Sequence, residues 1–298
     1  MKELKNDVDV EIKGVNYRFS NQIGKDSNLF TSFNQLSQST FGISFENVGG
    51  QYEPHVLALE GRVCANVAVN QIPFYYRGER KFYIQLGTVM TAPEFRAQGL
   101  SRWLIENIID RWQGCCDGIY LFANNSVLDF YPKFGFVKMP EYAYKRSGIT
   151  PNNSKAVKLQ MHAEESIRLV SEKYEQGNPF SAFYMTENQG LLSFYCQVIM
   201  KENVFYSPQY DVVIIAENND GQIRCCDIFG ETDAELSDVL GEISLGPEKE
   251  ILLGFTPLNT SGFTAQMQRE GDTTLFVHCS GDNLFAGEPL MFPVISHA

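Results

Sequence analysis

A strand, a glycine-containing loop and the start of a helix follow one another directly in residues 86–101, LGTVMTAPEFRAQGLS. Lys81 to Thr91 has apolar side chains on both of its faces, which predicts a central strand that is covered on both sides. Leu100 to Trp112 has one apolar stripe at helical spacing, and Gly114 follows it as a stop signal. The segment therefore predicts the β–α unit of a mixed sheet with crossover helices.

The loop between this strand and this helix has the chemistry of an anion site. The first turn of a helix leaves four backbone N–H groups without helical partners, and the helix dipole adds partial positive charge there. Gly99 and Ser101 are small enough for a bulky anion to approach the backbone, and Arg96 adds a full charge. The loop therefore predicts a diphosphate cradle, although it is neither a Walker loop nor a dinucleotide fingerprint.

The rest of the first half alternates between strands and helices. The predicted elements are a strand in 8–19, a helix over 27–40 with Ser27 as N-cap, a hairpin of 55–59 and 62–69, a strand over Gly118–Ala123, a short helix over Ser126–Phe134 and a last strand over Phe136–Lys145. This order predicts an α/β fold of the α+β type with a mixed sheet.

A length of 298 residues favours two domains. The best linker is GITPNNS, residues 148–154, so we expect domains at 1–148 and 155–298. The second half repeats the order of the first, which suggests a diverged duplication. Its predicted elements are a helix at about 163–175, a helix or apolar segment over 191–200, a hairpin of 210–216 and 223–229 turning at 218–221, a helix over 232–243 with Thr232 as N-cap, and strands at 251–255 and 274–278.

Charge is unevenly distributed between the halves. Residues 1–150 contain 16 Lys and Arg against 15 Asp and Glu, whereas residues 151–298 contain 8 against 21, and the net charge of the chain is −12. Such an acidic chain is a poor general binder of nucleic acid, whose affinity comes largely from phosphate neutralisation. The acidic half either attracts a cationic amine or serves solubility alone.

Cysteine and histidine spacing argues against a metal site. The seven cysteines form no C-x-x-C pair and no disulfide framework, and no two of the four histidines have metal-ligand spacing. Free, buried cysteines are typical of a reducing compartment. The polar start of the chain lacks the apolar core of a signal peptide, and no apolar run reaches about 20 residues, so we expect a cytoplasmic protein with no membrane partner.

The loop Arg96-x-x-Gly99-x-Ser101 resembles the pyrophosphate motif of the GNAT superfamily of N-acetyltransferases, R/Q-x-x-G-x-G/A, with Ser101 in place of Gly or Ala. Residues 124–136, NNSVLDFYPKFGF, resemble a second motif of that family, N-x-x-A-x-x-L-Y-x-x-x-G-F. The resemblance covers roughly residues 55–146. It implies a GNAT-like N-terminal domain that uses acetyl-CoA, followed by a degenerate GNAT-like domain, because residues 229–233 are acidic and lack the loop.

The resemblance also assigns roles to residues. It implies that the pyrophosphate is bound by Arg96, Ala97, Gln98, Gly99, Leu100 and Ser101, and that the pantetheine amides pair with the backbone of Thr88, Val89, Met90 and Thr91 on a strand that splays from its neighbour. Asn124 would contact the pantetheine arm, and Tyr131 would lie near the leaving thiolate. A phenol with a pKa near 10 is protonated at neutral pH and can donate to that thiolate. The alternative is that Tyr131 is only a core aromatic residue.

The proton acceptor is left open. Some family members have a glutamate on the central strand where this chain has Gln85, which cannot take a proton. A water chain, Glu79, Glu94 or Asp129 are alternatives. A further hypothesis is a chain-terminal carboxylate after Ser296-His297-Ala298, which deletion of these three residues tests.

The resemblance therefore predicts transfer of acetyl to a primary amine of a small molecule or peptide. Two alternatives remain: an acyl-CoA-binding sensor or interaction module without catalysis, and transfer of longer acyl chains if residues 72–76, IPFYY, line a pocket. The sequence indicates neither the acceptor nor the oligomeric state.

Overall fold

The computed structural model describes residues 7–46, 48, 50–153, 155–219, 222–244, 246, 249–268 and 271–297. Its strands are β1 (Val8–Ile12), β2 (Val15–Ser20), β3 (Tyr52–Leu59), β4 (Arg62–Tyr76), β5 (Glu79–Thr91), β6 (Gly118–Ala123), β7 (Val137–Lys138), β8 (Tyr142–Arg146), β9 (Val157–Lys158), β10 (Ser181–Met185), β11 (Val204–Ser207), β12 (Val212–Asn219), β13 (Gln222–Phe229), β14 (Ile251–Leu253), β15 (Thr256–Pro257), β16 (Thr264–Met267) and β17 (Thr274–His278). Its α-helices are α1 (Ser27–Phe41), α2 (Leu100–Trp112), α3 (Glu164–Gln176), α4 (Gln189–Phe194) and α5 (Leu236–Ile243). Together they confirm the predicted α/β fold class with mixed sheets.

Two mixed sheets organise the chain. The first has the strand order β1-β2-β3-β4-β5-β6-β17-β7, with β10 and β15 added beside the end of β4, and the second has the order β16-β8-β14-β13-β12-β11-β9. In the first sheet, β5 and β6 are parallel and joined by α2; in the second, β13 and β14 are parallel and joined by α5. In each sheet the first strand of this unit also pairs with the strand before it as an antiparallel hairpin, β4–β5 in the first sheet and β12–β13 in the second. This agrees with the expected repeat in the order of the elements.

The two halves of the chain exchange their last strands. The strand β17, from the second half, lies between β6 and β7 of the first sheet. The strand β8, from the first half, lies between β14 and β16 of the second sheet. The domain limits 1–148 and 155–298 stay a prediction. Each sheet, however, contains a strand from the other predicted domain.

The first sheet is covered on both faces. Helix α2 packs on one face through an apolar cluster that includes Leu104, Ile108, Leu86 and Leu121. On the other face, Tyr120 and Phe74 pack against residues of the second half such as Phe292. The candidate site residues therefore lie between a helix and the second half of the chain.

Several predicted elements are confirmed with small shifts. Helix α2 and strand β6 have the predicted bounds, and the helices predicted at 27–40 and 163–175 are observed at Ser27–Phe41 and Glu164–Gln176. The predicted hairpins are observed with longer strands. The segment 191–200 is helical, partly as α4 and partly as a π-helical turn over Tyr195–Ile199.

Other predictions were wrong at the level of single turns. Residues 8–19 form a hairpin because Lys13 and Gly14 both adopt positive φ angles. The N-cap of α1 is Asp26, whose carboxylate accepts from the N–H groups of Asn28 and Leu29. The Thr232 hydroxyl instead accepts from the Ala234 N–H in a turn, so α5 begins only at Leu236.

Proline explains the remaining corrections. The helix predicted over 126–134 is two short 3-10 turns, Asn125–Val127 and Tyr131–Phe134, since Pro132 lacks an N–H donor. The single strand predicted over 136–145 is interrupted near Pro140, and its two parts, β7 and β8, belong to different sheets. No helix among the described residues is long and apolar enough to span a membrane.

Candidate active site

The two central parallel strands separate halfway along their length. Strand β5 pairs with β6 from Tyr83–Gly118 to Gln85–Tyr120, and within the described residues the pairing ends there, although β5 continues to Thr91 and β6 to Ala123. Beyond Gln85, β5 remains paired only with β4 on its other side. The backbone predicted to present itself to pantetheine, from Thr88 to Thr91, therefore lies along an opening in the middle of the sheet, which we call the β5–β6 gap.

A β-bulge shapes β5 beside this gap. Asn66 is opposite Met90 and Ala68 is opposite Gly87, so Thr88 and Val89 together face the single residue Val67. Thr88 has a φ of 40°, a strained value for a β-branched residue. The bulge directs the two partly exposed residues Thr88 and Val89 away from the regular ladder.

Two neighbouring side chains hold the bulge in place. The Asn66 amide donates to the Thr88 carbonyl at 2.8 Å, and the Tyr52 hydroxyl is hydrogen-bonded to Thr88 Oγ1 at 2.8 Å. The Met90 side chain is buried against α1 and anchors the strand from the opposite direction. The strain at Thr88 is thus fixed by tertiary contacts that the sequence does not reveal.

The predicted diphosphate loop contains two backbone turns with positive φ. Ala97 has a φ of 60° and Gly99 a φ of 92°, and α2 begins directly afterwards at Leu100. Among the described residues no side chain caps this end of α2, and its Gly99 carbonyl accepts from the Trp103 N–H. The first-turn N–H groups point out of the helix end, where an anion can accept from them.

Space is available at Gly99. A Cβ atom added there would meet no atom within 4 Å among the described residues, so the close packing of neighbours is not the reason for glycine. The positive φ requires it, and the open volume in front of the helix end is where a larger group fits. The residues therefore fit the diphosphate of a coenzyme A.

Side chains of the loop divide between solvent and fold. Arg96 is exposed, and its Nε donates to the Thr91 carbonyl at 3.3 Å. Ser101 Oγ is hydrogen-bonded to Thr91 Oγ1 at 2.6 Å, which ties the helix start to the end of β5. The Gln98 amide accepts from the Tyr17 hydroxyl at 2.8 Å, so this side chain fastens the loop and offers only its backbone to a ligand.

Tyr131 lies in a short 3-10 turn on the α2 side of the sheet. Its ring is 5% exposed and packs edge-on against Phe130 and Phe136, in the same apolar cluster as Leu86 and Leu100. Burial raises the pKa of Tyr131 to about 12, so its phenol is fully protonated at neutral pH. The residue is both a core aromatic and a phenol adjoining the predicted site.

Asn124 is connected to a loop of the second half. Its amide donates to Asp272 Oδ2 at 3.0 Å, and the same carboxylate accepts from the Asn125 N–H at 2.7 Å. The Asn124 amide and the Asn125 backbone hydrogen bonds lower the pKa of Asp272. The Asn124 side chain predicted to contact pantetheine thus has one of its N–H groups engaged by Asp272. Nothing in the sequence indicated Asp272.

The carboxylates named as proton acceptors lie away from the gap. Glu79 is at the far end of β5 and pairs with Lys81, and Glu94 pairs with Arg62 at the surface. Asp129 is exposed. Gln85 is buried at the last β5–β6 pair, opposite Asn70 of β4. The IPFYY segment belongs to β4, where Phe74 stacks on Phe183 and Tyr75 on Tyr184, so its rings pack against β10 instead of lining a pocket.

The C-terminal segment crosses the second-half face of β6. Phe292 stacks on Tyr120 with ring centroids 3.7 Å apart, and the Tyr120 hydroxyl donates to the Ser296 carbonyl at 3.1 Å. The proposed carboxylate after Ala298 lies outside the described residues.

The corresponding position in the second sheet is closed. Strand β13 pairs with β14 as far as Cys225, but Gly254 then donates its N–H to the Cys225 carbonyl. A Cβ on Gly254 would come within 2.8 Å of the Cys226 Cα and within 3.0 Å of a Val294 methyl. In the second sheet, backbone atoms and the C-terminal segment therefore fill the space that corresponds to the β5–β6 gap of the first sheet. Within the described residues, no group of three His, Cys, Asp or Glu could hold a metal ion.

The comparisons with known proteins agree with this architecture. The family model of the acetyltransferase (GNAT) domain matches residues 51–138. The chain is similar in fold to a probable N-acyltransferase of unknown function from Enterococcus faecalis V583, with a TM-score of 0.60 and 13% identity over 88% of this chain and 72% of that one. It is also similar to Eis1 from Mycobacterium abscessus, with a TM-score of 0.56 and 14% identity over 87% and 72% of the two chains. No curated protein matches the sequence.

The matched domain and the site it contains define an acyltransferase enzyme. The match places residues 51–138 in the GNAT superfamily of acetyltransferases. The structural similarity extends over both halves of the chain, so the second α/β unit is part of the shared fold.

Proposed function

We propose that this enzyme transfers an acetyl group from acetyl-CoA directly to a primary amine of a small molecule or peptide. The observation that carries the proposal is the β5–β6 gap, which has the Thr88 bulge on one side and the uncapped start of α2 at its end. A gap in the middle of the sheet exposes the strand backbone to the amides of the pantetheine arm. The N–H groups at the start of the helix can donate to the diphosphate.

Each part of the site has a task in this proposal. The N–H groups after Gly99 and the exposed Arg96 guanidinium hold the diphosphate. The β5 backbone from Thr88 to Thr91 and the Asn124 carbonyl orient the pantetheine amides. Acetyl-CoA supplies an activated thioester, and the Tyr131 phenol lies ready to protonate the sulfur as it leaves. Positioning the two reactants accounts for much of the rate in such a transfer.

The first test is isothermal titration of the chain with acetyl-CoA. Gly99→Glu should abolish binding, because its side chain would enter the diphosphate volume with a like charge and a strained φ. Gly114→Glu is the matched control, since Gly114 also has a positive φ and open space but lies after α2, at its other end. Equal affinity of the Gly99 variant and the control would refute the assignment.

The alternative of an acyl-CoA sensor is favoured by one observation, the buried amide of Gln85 where a base would help. It predicts tight acetyl-CoA binding without release of thiol when amines are added. Release of thiol with any primary amine of a small panel that includes spermidine and a short peptide would exclude it.

A further inference from the structure

Glu79, Glu94 and Asp129 lie away from the β5–β6 gap, and the second half of the chain offers another proton acceptor there. Along β6, Leu121 and Ala123 pack with α2, whereas Tyr120 and Phe122 face the second half. Phe122 is the first residue on that face beyond the last β5–β6 pair. Whatever rests on Phe122 therefore adjoins the open edge of the gap.

The side chain resting on Phe122 is His297. The two ring centroids are 3.9 Å apart with an interplanar angle of 31°. The His297 carbonyl accepts from the Tyr195 hydroxyl at 2.5 Å, and the preceding Ser296 carbonyl accepts from Tyr120. The backbone on both sides of the ring attachment is thus fixed, and the residue is partly exposed although its Nε2 is buried. A ring held by stacking and by two backbone contacts is preorganised in the way a catalytic group requires.

We infer that His297 is the general base that takes the proton of the acceptor amine, an assignment that rests on the proposed acetyl transfer. Tyr131 and His297 flank the gap from opposite faces of the sheet, the phenol on the α2 side and the imidazole on the second-half side. The transfer involves two separate proton movements, so an acid near the leaving sulfur and a base near the entering amine can each serve one of them.

The step balances with these two groups. The amine nitrogen forms the new N–C bond to the acyl carbon, and the C–S bond breaks. The thiolate takes the Tyr131 proton, and the proton lost by the amine nitrogen passes to the His297 imidazole. Proton transfer from imidazolium back to the phenolate through solvent restores both groups. An imidazole ordinarily titrates near 6.5, which suits a base at neutral pH.

Other titratable groups adjoin this position and set its pH response. They are the phenols of Tyr120 on β6 and Tyr195 after α4, together with Glu141, whose Oε1 accepts from the Phe292 N–H. Both phenols donate to backbone carbonyl oxygens, and burial raises the pKa of Tyr120 well above its usual value. Glu141 is the carboxylate of this group, and its Oε1 is directed to the Phe292 backbone, whereas the His297 ring lies on Phe122.

Affinity labelling with bromoacetyl-CoA tests the position of His297, after titration has established that the chain binds acetyl-CoA. The imidazole nitrogen would displace bromide and form a stable N–C bond, which peptide mass spectrometry locates. We expect an adduct on His297 that excess acetyl-CoA suppresses. Cys115, an exposed thiol after α2, reports labelling from bulk solution that acetyl-CoA does not suppress.

Two variants complete the test. His297→Gln should abolish the protected adduct and lower kcat for spermidine or a short peptide by about 100-fold, with loss of the rise in rate between pH 6 and 7.5. His278→Gln is the matched control, because His278 is a partly exposed histidine that contacts Phe136 on the opposite face of the sheet. A protected adduct on another residue, or a His297→Gln variant with wild-type rate and pH profile, would overturn the inference. Absence of acetyl-CoA binding by the wild type would instead reject the proposed function on which it rests.

Discussion

Single residues with unusual backbone or burial mark the places where this chain departs from a regular α/β sheet. Thr88 and Gly99 both have positive φ angles at the predicted cofactor site, and only at Gly99 does the residue type itself permit the angle. At Thr88 the angle is imposed by the partners of its carbonyl and hydroxyl groups. Tyr131 and Asp227 are shifted in pKa by burial, in one case beside the site and in the other far from it.

Replacement of Tyr131 by phenylalanine should separate chemistry from binding. The ring remains to fill the core, so acetyl-CoA affinity and thermal stability should stay close to wild type, whereas kcat should fall by about 100-fold. Because the pKa of Tyr131 is raised to about 12, the wild-type rate should show no loss between pH 8 and 10 from ionisation of this phenol. Steady-state kinetics over this range check both expectations, with Tyr142→Phe as control. A Tyr131→Phe variant with unchanged kcat would leave the residue a purely structural role.

Asp227 should make the second sheet less stable as the pH rises. Burial raises the pKa of its carboxyl to about 7, although the Asn178 amide and the Ile228 N–H oppose this shift. This carboxyl has a higher pKa in the folded state than in the unfolded state. Its contribution to the free energy of unfolding is therefore fully present below pH 4 and is lost as the pH rises from 4 to 7.

The full effect corresponds to about 4 kcal/mol between pH 4 and 8. Asp227→Asn should remove this dependence and raise the free energy of unfolding at pH 8 more than at pH 5. Urea unfolding at the two pH values measures it, with the exposed Asp282→Asn as control. An equal effect of Asp227→Asn at both values would contradict the assignment.

At the scale of elements, β5 is the strand on which the site depends. One edge is paired with β4 on both sides of the bulge, and among the described residues the other edge has no strand partner past Gln85 because β6 diverges. The bulge at Thr88 and Val89 lies on the paired side, so it changes the course of the strand without closing the gap. Helix α2 then begins close to the strand end, tied to it by Ser101 and Thr91.

Removal of the bulge support should loosen the site. Asn66→Ala leaves the Thr88 carbonyl without its amide donor, which should cost about 1–3 kcal/mol of stability and weaken acetyl-CoA binding several-fold. Asn70→Ala is the control, because Asn70 lies on the same face of β4 and is equally buried but is opposite Gln85, away from Thr88. Titration and thermal unfolding of both variants test this. Equal weakening of acetyl-CoA binding by the two substitutions would mean that general destabilisation is the cause.

For the whole molecule, the reciprocal exchange of β8 and β17 makes the two halves interdependent. Each last strand lies between two strands in the sheet of the other half, and the Asp272 loop before β17 reaches Asn124, a predicted cofactor contact, and Asn125. The second half, with a closed gap of its own, therefore contributes a strand, a carboxylate and the segment over β6 to the site of the first half.

A fragment of residues 1–148 should not fold alone. It would lack β17 between β6 and β7, and its own β8 would have no partner strand. We expect no cooperative thermal transition and no acetyl-CoA binding from this fragment, and recovery of both when residues 149–298 are co-expressed. Circular dichroism and titration measure the outcome. A fragment that unfolds cooperatively and binds acetyl-CoA would show that the first half is autonomous.

Local patterns in the sequence were enough for many of the helices and strands and for a turn with positive φ directly before α2. The apolar stripe of Leu100–Trp112 and the doubly apolar strand before it depend on neighbours within a few residues, so their bounds were predicted closely. The required conformation of Gly99 is likewise a local property of the backbone.

The tertiary structure alone decided what depends on residues far apart in the chain. The exchange of β8 and β17, the hydrogen bond from Asn124 to Asp272 and the stacking of His297 on Phe122 join positions separated by more than a hundred residues. The periodicity of a segment shows that the segment is a strand or a helix with an apolar face. It does not show which distant segment packs against that face, because many complementary surfaces would fit it equally well. The sequence therefore determined the elements and the loop, whereas the partners that complete the site were determined by the packing of the two halves.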